Sequence, residues 1–133
     1  MPTSRPRAWS PAPRPAGDPP PKGPYTPAVR AGGFVFVSGQ VPRDPVSGVL
    51  AGETIEAQAR QTLDNVRRVL DAAGASLDDV VSATIYLTDV TEWDAFNAVY
   101  REYFREPYPT RTVVGAALRG IRVEVSVVAF VGA

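Results

Sequence analysis

Residues 121–131 read IRVEVSVVAFV. The first half alternates. Val123, Val125 and Val127 stand at every second position with Glu124 and Ser126 between them, the period of a strand with one buried face. The second half stops alternating: from Val127 to Val131 every residue is apolar. A strand that is dry on both faces needs cover on both sides. The remaining elements must therefore supply two layers, or leave one to another molecule.

Upstream, GGFVFVSGQV (32–41) is a second β-rich run, broken by Gly39 and suited to a central strand. In RDPVSG (43–48), Asp44-Pro45 and Gly48 reverse the chain between Val41 and Leu50. Thr54 reads as a helix N-cap with Glu56 in the first turn. Ile55, Ala59, Leu63, Val66, Leu70 and Ala73 then recur at intervals of three and four, one apolar stripe over about five turns. Gln58, Arg60, Asp64, Arg67, Arg68 and Asp71 fall on the wet side, and Gly74 is the C′ stop. Ser76 and Asp79 form a capping-box pattern for a single turn. VVSATIYLTD (80–89) follows as a strand, with Val81, Ala83, Ile85 and Leu87 alternating with Ser82, Thr84 and Tyr86. Thr91 is the expected cap of a second helix over 92–104. Its buried face carries Trp93, Phe96, Tyr100 and Phe104, with Asn97 beside them. REPYP (105–109) ends it.

The order is β-β-α-β-α-β-β, an α/β (α+β) domain with a mixed sheet. Two helices cover only one face of such a sheet. The other face, apolar by the reading of 121–131, predicts an oligomer whose sheets pack together.

The chain has 133 residues, enough for one domain with a real core. Ten of its 14 prolines lie within residues 1–27, so residues 1–22 read as a flexible Pro-rich tail and residues 23–133 as the domain. The 14 basic and 14 acidic residues cancel overall. The tail carries net +3 and the domain net −3. A weakly acidic domain does not attract a phosphate backbone, so nucleic acid is not the expected partner. There is no Cys and no His. That excludes disulfides, thiol catalysis and a histidine base, and leaves no ordinary zinc site. No stretch is apolar for the length of a membrane span, and the N-terminus lacks a secretory apolar region. A cytoplasmic protein is the expectation.

Two residues stand out. Glu124 sits between valines. It either points to solvent or a subunit boundary, or lies in a cleft where it can accept a hydrogen bond from water or substrate. Arg111, in EPYPTRTVVGAA (106–117), follows a turn and opens an apolar strand. It is either a surface arginine at a strand edge or an anion-binding group. Asn97 flanks the aromatic stripe. Tyr25, in KGPYTPAV (22–29), is fixed by Gly23, Pro24 and Pro27 and can wall a pocket or simply pack.

Taken in order, GPYTPAV, VFVSGQVPRDPVSG, QARQTLDNVRRVLDAAGASLDDVV, TIYLTDV, FNAVYREYF, YPTRTVV and RVEVSVVAFV closely resemble the RidA/YjgF family of reactive-intermediate deaminases, from Gly23 to Val131. The resemblance implies a chorismate-mutase-like fold and a homotrimer with packed central sheets and clefts between subunits. It implies hydrolysis of small 2-imino or enamine acids, such as 2-iminopropanoate and 2-iminobutanoate, to 2-oxo acids and ammonia, without cofactor or metal. By the same resemblance Arg111 clamps the substrate carboxylate and Glu124 holds the attacking water, together with a backbone carbonyl just after Arg111. Tyr25 and Asn97 line the cleft. Val113 stands at a substrate-binding position where relatives usually have Cys. The segment VGAALRGIRVE (114–124) is shorter than its counterpart and lacks the usual Leu-Pro pair. The alternatives left open are a related hydrolase acting on a different small carboxylate, or a non-catalytic small-acid-binding trimer.

Overall fold

The structure, a computed structural model, describes residues 5–132. Six strands form one sheet: β1 (Ser10–Pro11), β2 (Ala28–Ala31), β3 (Phe34–Gln40), β4 (Val80–Leu87), β5 (Thr110–Gly115) and β6 (Val123–Phe130). Their order is β1-β2-β3-β6-β4-β5. Only β4 and β5 pair in parallel, joined through helix α2 (Trp93–Tyr103), as a parallel connection requires. Helix α1 (Ile55–Ala72) links β3 to β4.

Both helices pack on one face of the sheet. Val35 and Val37 of β3, Ala83, Ile85 and Leu87 of β4, and Val123, Val125, Val127 and Ala129 of β6 share one core with Ala59, Leu63, Val66 and Leu70 of α1 and Phe96 and Val99 of α2. Each large apolar side chain buried there contributes about 1.5–3 kcal/mol. The opposite face has no such layer. Phe34, Phe36 and Phe130 remain 41%, 44% and 45% exposed, with the Phe34 and Phe130 rings 4.9 Å apart. Residues 127–131 are thus apolar toward both faces, and one chain covers only one of them.

Several details depart from the sequence pattern. Gln58, placed on the wet side, is buried. Its Nε2 donates to the Gly52 carbonyl at 3.0 Å and its Oε1 accepts from the Arg122 backbone at 2.8 Å, so both ends of the amide are satisfied. Val81 is exposed because the β4–β6 register shifts between Val80 and Ser82, which lets Val80 take the inward position. The second helix is shorter than 92–104 and is preceded by a 3-10 turn, Val90–Glu92. Asp89 caps that 3-10 turn, its Oδ1 accepting from the Thr91 N–H at 2.9 Å and from the Thr91 hydroxyl at 2.6 Å. The cap position of α2 is Glu92, not Thr91, and its side chain makes no capping hydrogen bond. Trp93, in the first turn of α2, stays 39% exposed.

Residues 1–4 of the expected tail lie outside the described residues. The remainder is extended but lies against the domain. Ser10 and Pro11 pair with Arg30 and Val29, and the Ala12 N–H donates to the Ala28 carbonyl at 2.9 Å. Asp18 meets Arg68 of α1 at 2.8 Å. A proline-rich chain builds no core of its own, but its few free backbone groups can pair with the edge of β2, which is otherwise open.

Candidate functional site

Arg111 lies on β5 opposite Ala83 of β4, so it points to the side of the sheet that the helices cover. There α2 receives it. Arg111 Nη1 donates to Asn97 Oδ1 at 2.8 Å, and its guanidinium carbon sits 4.8 Å from the centre of the Tyr100 ring. Asn97 and Tyr100 are three residues apart on the helix, hence on one face. Together with Tyr108 and Pro109 they wall a groove of about 220 Å³. Arg111 has no carboxylate partner among the described residues, unlike Arg60, Arg67, Arg68, Arg105 and Arg122. Its remaining donors are free to bind an anion in the paired geometry a guanidinium favours. Burial pushes the Tyr100 phenol above its ordinary range, with the nearby Arg111 pulling the other way. Val113, two residues along β5, faces the same side and packs against the core.

Glu124 lies elsewhere. On β6 it stands opposite Tyr86, one position out of phase with the buried Val123 and Val125, so it points to the face the helices leave open. Its carboxylate lies over Gly39, where the β3–β6 register slips between Val37 and Gln40. A Cβ at residue 39 would overlap that carboxylate. The close approach that Gly39 suggests in the sequence is thus occupied by the Glu124 side chain. Glu124 faces a cleft of about 370 Å³ formed with Val41, Arg43, Ala117, Leu118, Arg119 and Ile121. Tyr25, 56% exposed, lines a separate cleft together with Gly39 and tail residues.

The predicted residues therefore form two groups. Arg111 and Asn97 are together on one face, Glu124 lies over Gly39 at another place, and Tyr25 lines a neighbouring cleft that Gly39 also borders. Within a single chain the guanidinium and the carboxylate project from opposite faces of the sheet and cannot hold one small molecule between them. Tyr100 and Tyr108 join the Arg111 groove although neither reads as a site residue in the sequence. The i, i+3 spacing from Asn97 to Tyr100 was the available signal, and the aromatic stripe concealed it. Among the described residues no cluster of His, Cys, Asp or Glu could hold a metal ion. No helix there is long and apolar enough to cross a membrane.

The family model described as "Endoribonuclease L-PSP" matches residues 16–131. The chain belongs to the RidA/YjgF family. The match begins at residue 16, inside the expected tail. A "RutC family protein" of Pyrococcus horikoshii is 40% identical over 114 residues, spanning 84% of this chain and 90% of its own. The 2-iminobutanoate/2-iminopropanoate deaminase of Salmonella typhimurium is 37% identical over 112 residues, covering 80% of this chain and 87% of that one. Among solved structures, a Rid-family protein of unknown function from Yersinia pestis superposes with a TM-score of 0.85 at 35% identity, covering 93% of this chain and all of that one. The fold is that of the RidA/YjgF proteins, the chorismate-mutase-like mixed sheet with two helices on one face.

Proposed function

We propose that this RidA/YjgF protein hydrolyses small 2-imino acids, such as 2-iminopropanoate or 2-iminobutanoate, to 2-oxo acids and ammonia, in clefts completed by a second copy of the chain within a homotrimer. The observation that carries this reading is the division of the site. An arginine without an acidic partner waits on one face and a carboxylate seated over a glycine waits on the other, and the open face bears an uncovered aromatic layer. In the proposed trimer the packed open faces bury Phe34, Phe36 and Phe130, and the edge position of β5 lets Arg111 of one copy reach the seam beside Glu124 of the next.

In such a cleft Arg111 grips the substrate carboxylate through two parallel hydrogen bonds, with Asn97 and the Tyr100 ring fixing the guanidinium plane. Tyr25 and Val113 border the bound acid. Glu124 accepts a hydrogen bond from a water, which a carbonyl just after Arg111 also holds. The water oxygen bonds to C2 of the protonated imine and passes a proton to Glu124. That proton moves on to nitrogen, the C–N bond breaks as the remaining hydroxyl proton passes to Glu124, ammonia leaves, and the 2-oxo acid remains. A protonated imine is already a strong electrophile, so orientation and water placement supply the main acceleration. Neither histidine nor thiol is needed, and no cofactor takes part. Residues 23–133 carry 10 basic and 13 acidic residues, net −3, which suits a small acid bound at one arginine better than a nucleic acid.

The test is release of 2-oxo acid from imine generated in situ by a threonine dehydratase, with semicarbazide competing for the imine. Faster release with the protein present supports hydrolysis. No acceleration by a folded trimer would leave a small-acid-binding role in its place. The shared cleft has its own test. R111A and E124A chains, each inactive alone, recover part of the activity when refolded together, because one cleft of a mixed trimer then contains both intact halves. An intra-chain site would show no recovery.

A further inference from the structure

The cleft in front of Glu124 holds more positive charge than its proposed role uses. Arg43 and Arg119 are both among its lining residues, beside a single carboxylate. Neither has an acidic partner among the described residues. Arg43 Nη1 donates only to the Gly48 carbonyl, at 3.2 Å, and Arg119 donates no side-chain hydrogen bond there. The neighbouring Arg122, by contrast, is committed to Glu92 and to the Glu53 carbonyl.

Arg43 is also anchored. The buried Asn65 donates from Nδ2 to the carbonyls of Val41 and Arg43, each at 2.9 Å, and so ties the root of that side chain to α1. Arg119 stands in the tight turn that closes with the Gly120 N–H donating to the Leu118 carbonyl at 3.2 Å. Val41, Leu118 and Ile121 make the walls partly apolar. A surplus cation at such a rim attracts an anion. With the substrate's first carboxylate held by Arg111, the anion this surplus accommodates is a second one.

We infer that Arg43 and Arg119 determine specificity by receiving the distal carboxylate of a dicarboxylic 2-imino acid, such as 2-iminosuccinate or 2-iminoglutarate. The inference rests on the deaminase reading and specifies its substrate class. The chemistry at C2 is unchanged: water oxygen in, C–N bond broken, nitrogen out as ammonia. The product is a 2-oxo dicarboxylate whose distal carboxylate has not reacted. The reaction supplying such a substrate is the oxidation of an acidic amino acid to its imine.

The experiment has two arms on the full chain. Calorimetry compares binding of 2-oxoglutarate with binding of 2-oxobutanoate. In parallel, amino-acid oxidases generate the matching dicarboxylic and monocarboxylic imines, and the rates of semicarbazone formation are compared. We expect 2-oxoglutarate to bind about tenfold more tightly, the scale of one charge-assisted hydrogen-bond pair. In R43M/R119M that preference falls below about threefold, with the lost discrimination appearing in KM. R119M alone, at an exposed turn position, lowers it part-way and guards against a folding defect in the double variant. Equal binding of the two acids, or an unchanged preference in R43M/R119M, overturns the inference. Preferential 2-oxoglutarate binding without hydrolysis of either imine supports the distal-carboxylate site and sinks the deaminase reading. Hydrolysis of the monocarboxylic imine with no dicarboxylate preference does the reverse.

Discussion

Arg111 and Glu124 stand on strands of one sheet but are held in opposite ways. Arg111 is on the edge strand β5 and depends on side chains of another element, the Asn97 amide at 2.8 Å and the Tyr100 ring at 4.8 Å. Glu124 is on β6, hydrogen-bonded on both sides by β3 and β4, and its carboxylate rests over bare backbone at Gly39. The first group is made by side chains, the second by backbone shape. Gradual changes at α2 should loosen the arginine by degrees. The carboxylate has one seat, and a single methyl group can take it.

The largest effect should follow removal of the arginine itself. R111A is expected to lower kcat/KM for imine hydrolysis by at least about a hundredfold while the oligomer persists, since a bidentate ion pair is lost and no core contact goes with it. Size-exclusion chromatography beside the coupled assay checks both halves of that statement, and normal turnover would sink the assignment. G39A tests the other group. The new methyl meets the mobile end of Glu124 rather than rigid backbone, so the carboxylate swings away. Activity should fall about tenfold or more with a stability change under about 1 kcal/mol. Thermal unfolding and kinetics together decide this, and a large stability loss with normal kcat would contradict it.

Tyr100 sharpens the contrast. Y100L removes the ring beneath the guanidinium and should raise KM about threefold to tenfold. Y100F should leave KM and stability nearly as they are, because the buried Tyr100 hydroxyl has no hydrogen-bond partner among the described residues. If Y100F behaved like Y100L, the hydroxyl rather than the ring would be the supporting group. The smallest effect lies outside both groups. Burial, reinforced by its hydrogen bond to Asp64 at 2.8 Å, pushes the Tyr103 phenol up to about 12. A raised pKa means the folded state keeps the proton longer than the unfolded chain. The stability Tyr103 contributes is therefore full below about pH 10 and lost as pH rises toward 12. Y103F should flatten that alkaline decline in a denaturant series, and an unchanged slope would remove Tyr103 as its cause.

The main elements of the domain were legible because their signals are local. The stripe from Ile55 to Ala73 needed only a 3.6-residue period, and Ile55, Ala59, Leu63, Val66, Leu70 and Ala73 are all buried. What failed were positions where one contact overrode the pattern. Gln58 reads as a solvent-facing amide until the Gly52 carbonyl and the Arg122 N–H are found at its two ends. Thr91 reads as the cap of the second helix until it proves to lie inside a 3-10 turn, Val90–Glu92, that Asp89 caps. The proline-rich tail reads as free until β2 proves to have an unpaired edge beside it.

By itself the sequence determined the succession of helices and strands from β3 to β6, the unbroken apolar half of β6, and the pair of residues, Arg111 and Glu124, whose charges have no use in a core. The short strands β1 and β2 were not legible in it. Periodicity and side-chain chemistry act over a few residues and are written into the chain directly. Only the tertiary structure decided that these two residues face opposite sides of the sheet, that Tyr100 lies under one and Gly39 under the other, and that Arg43 and Arg119 share a cleft with Glu124. Those relations depend on strand register and sheet order, where a shift of one residue turns every side chain to the other face. No local pattern encodes that choice, because it is made by segments 70 or more residues apart that meet when β3 pairs with β6.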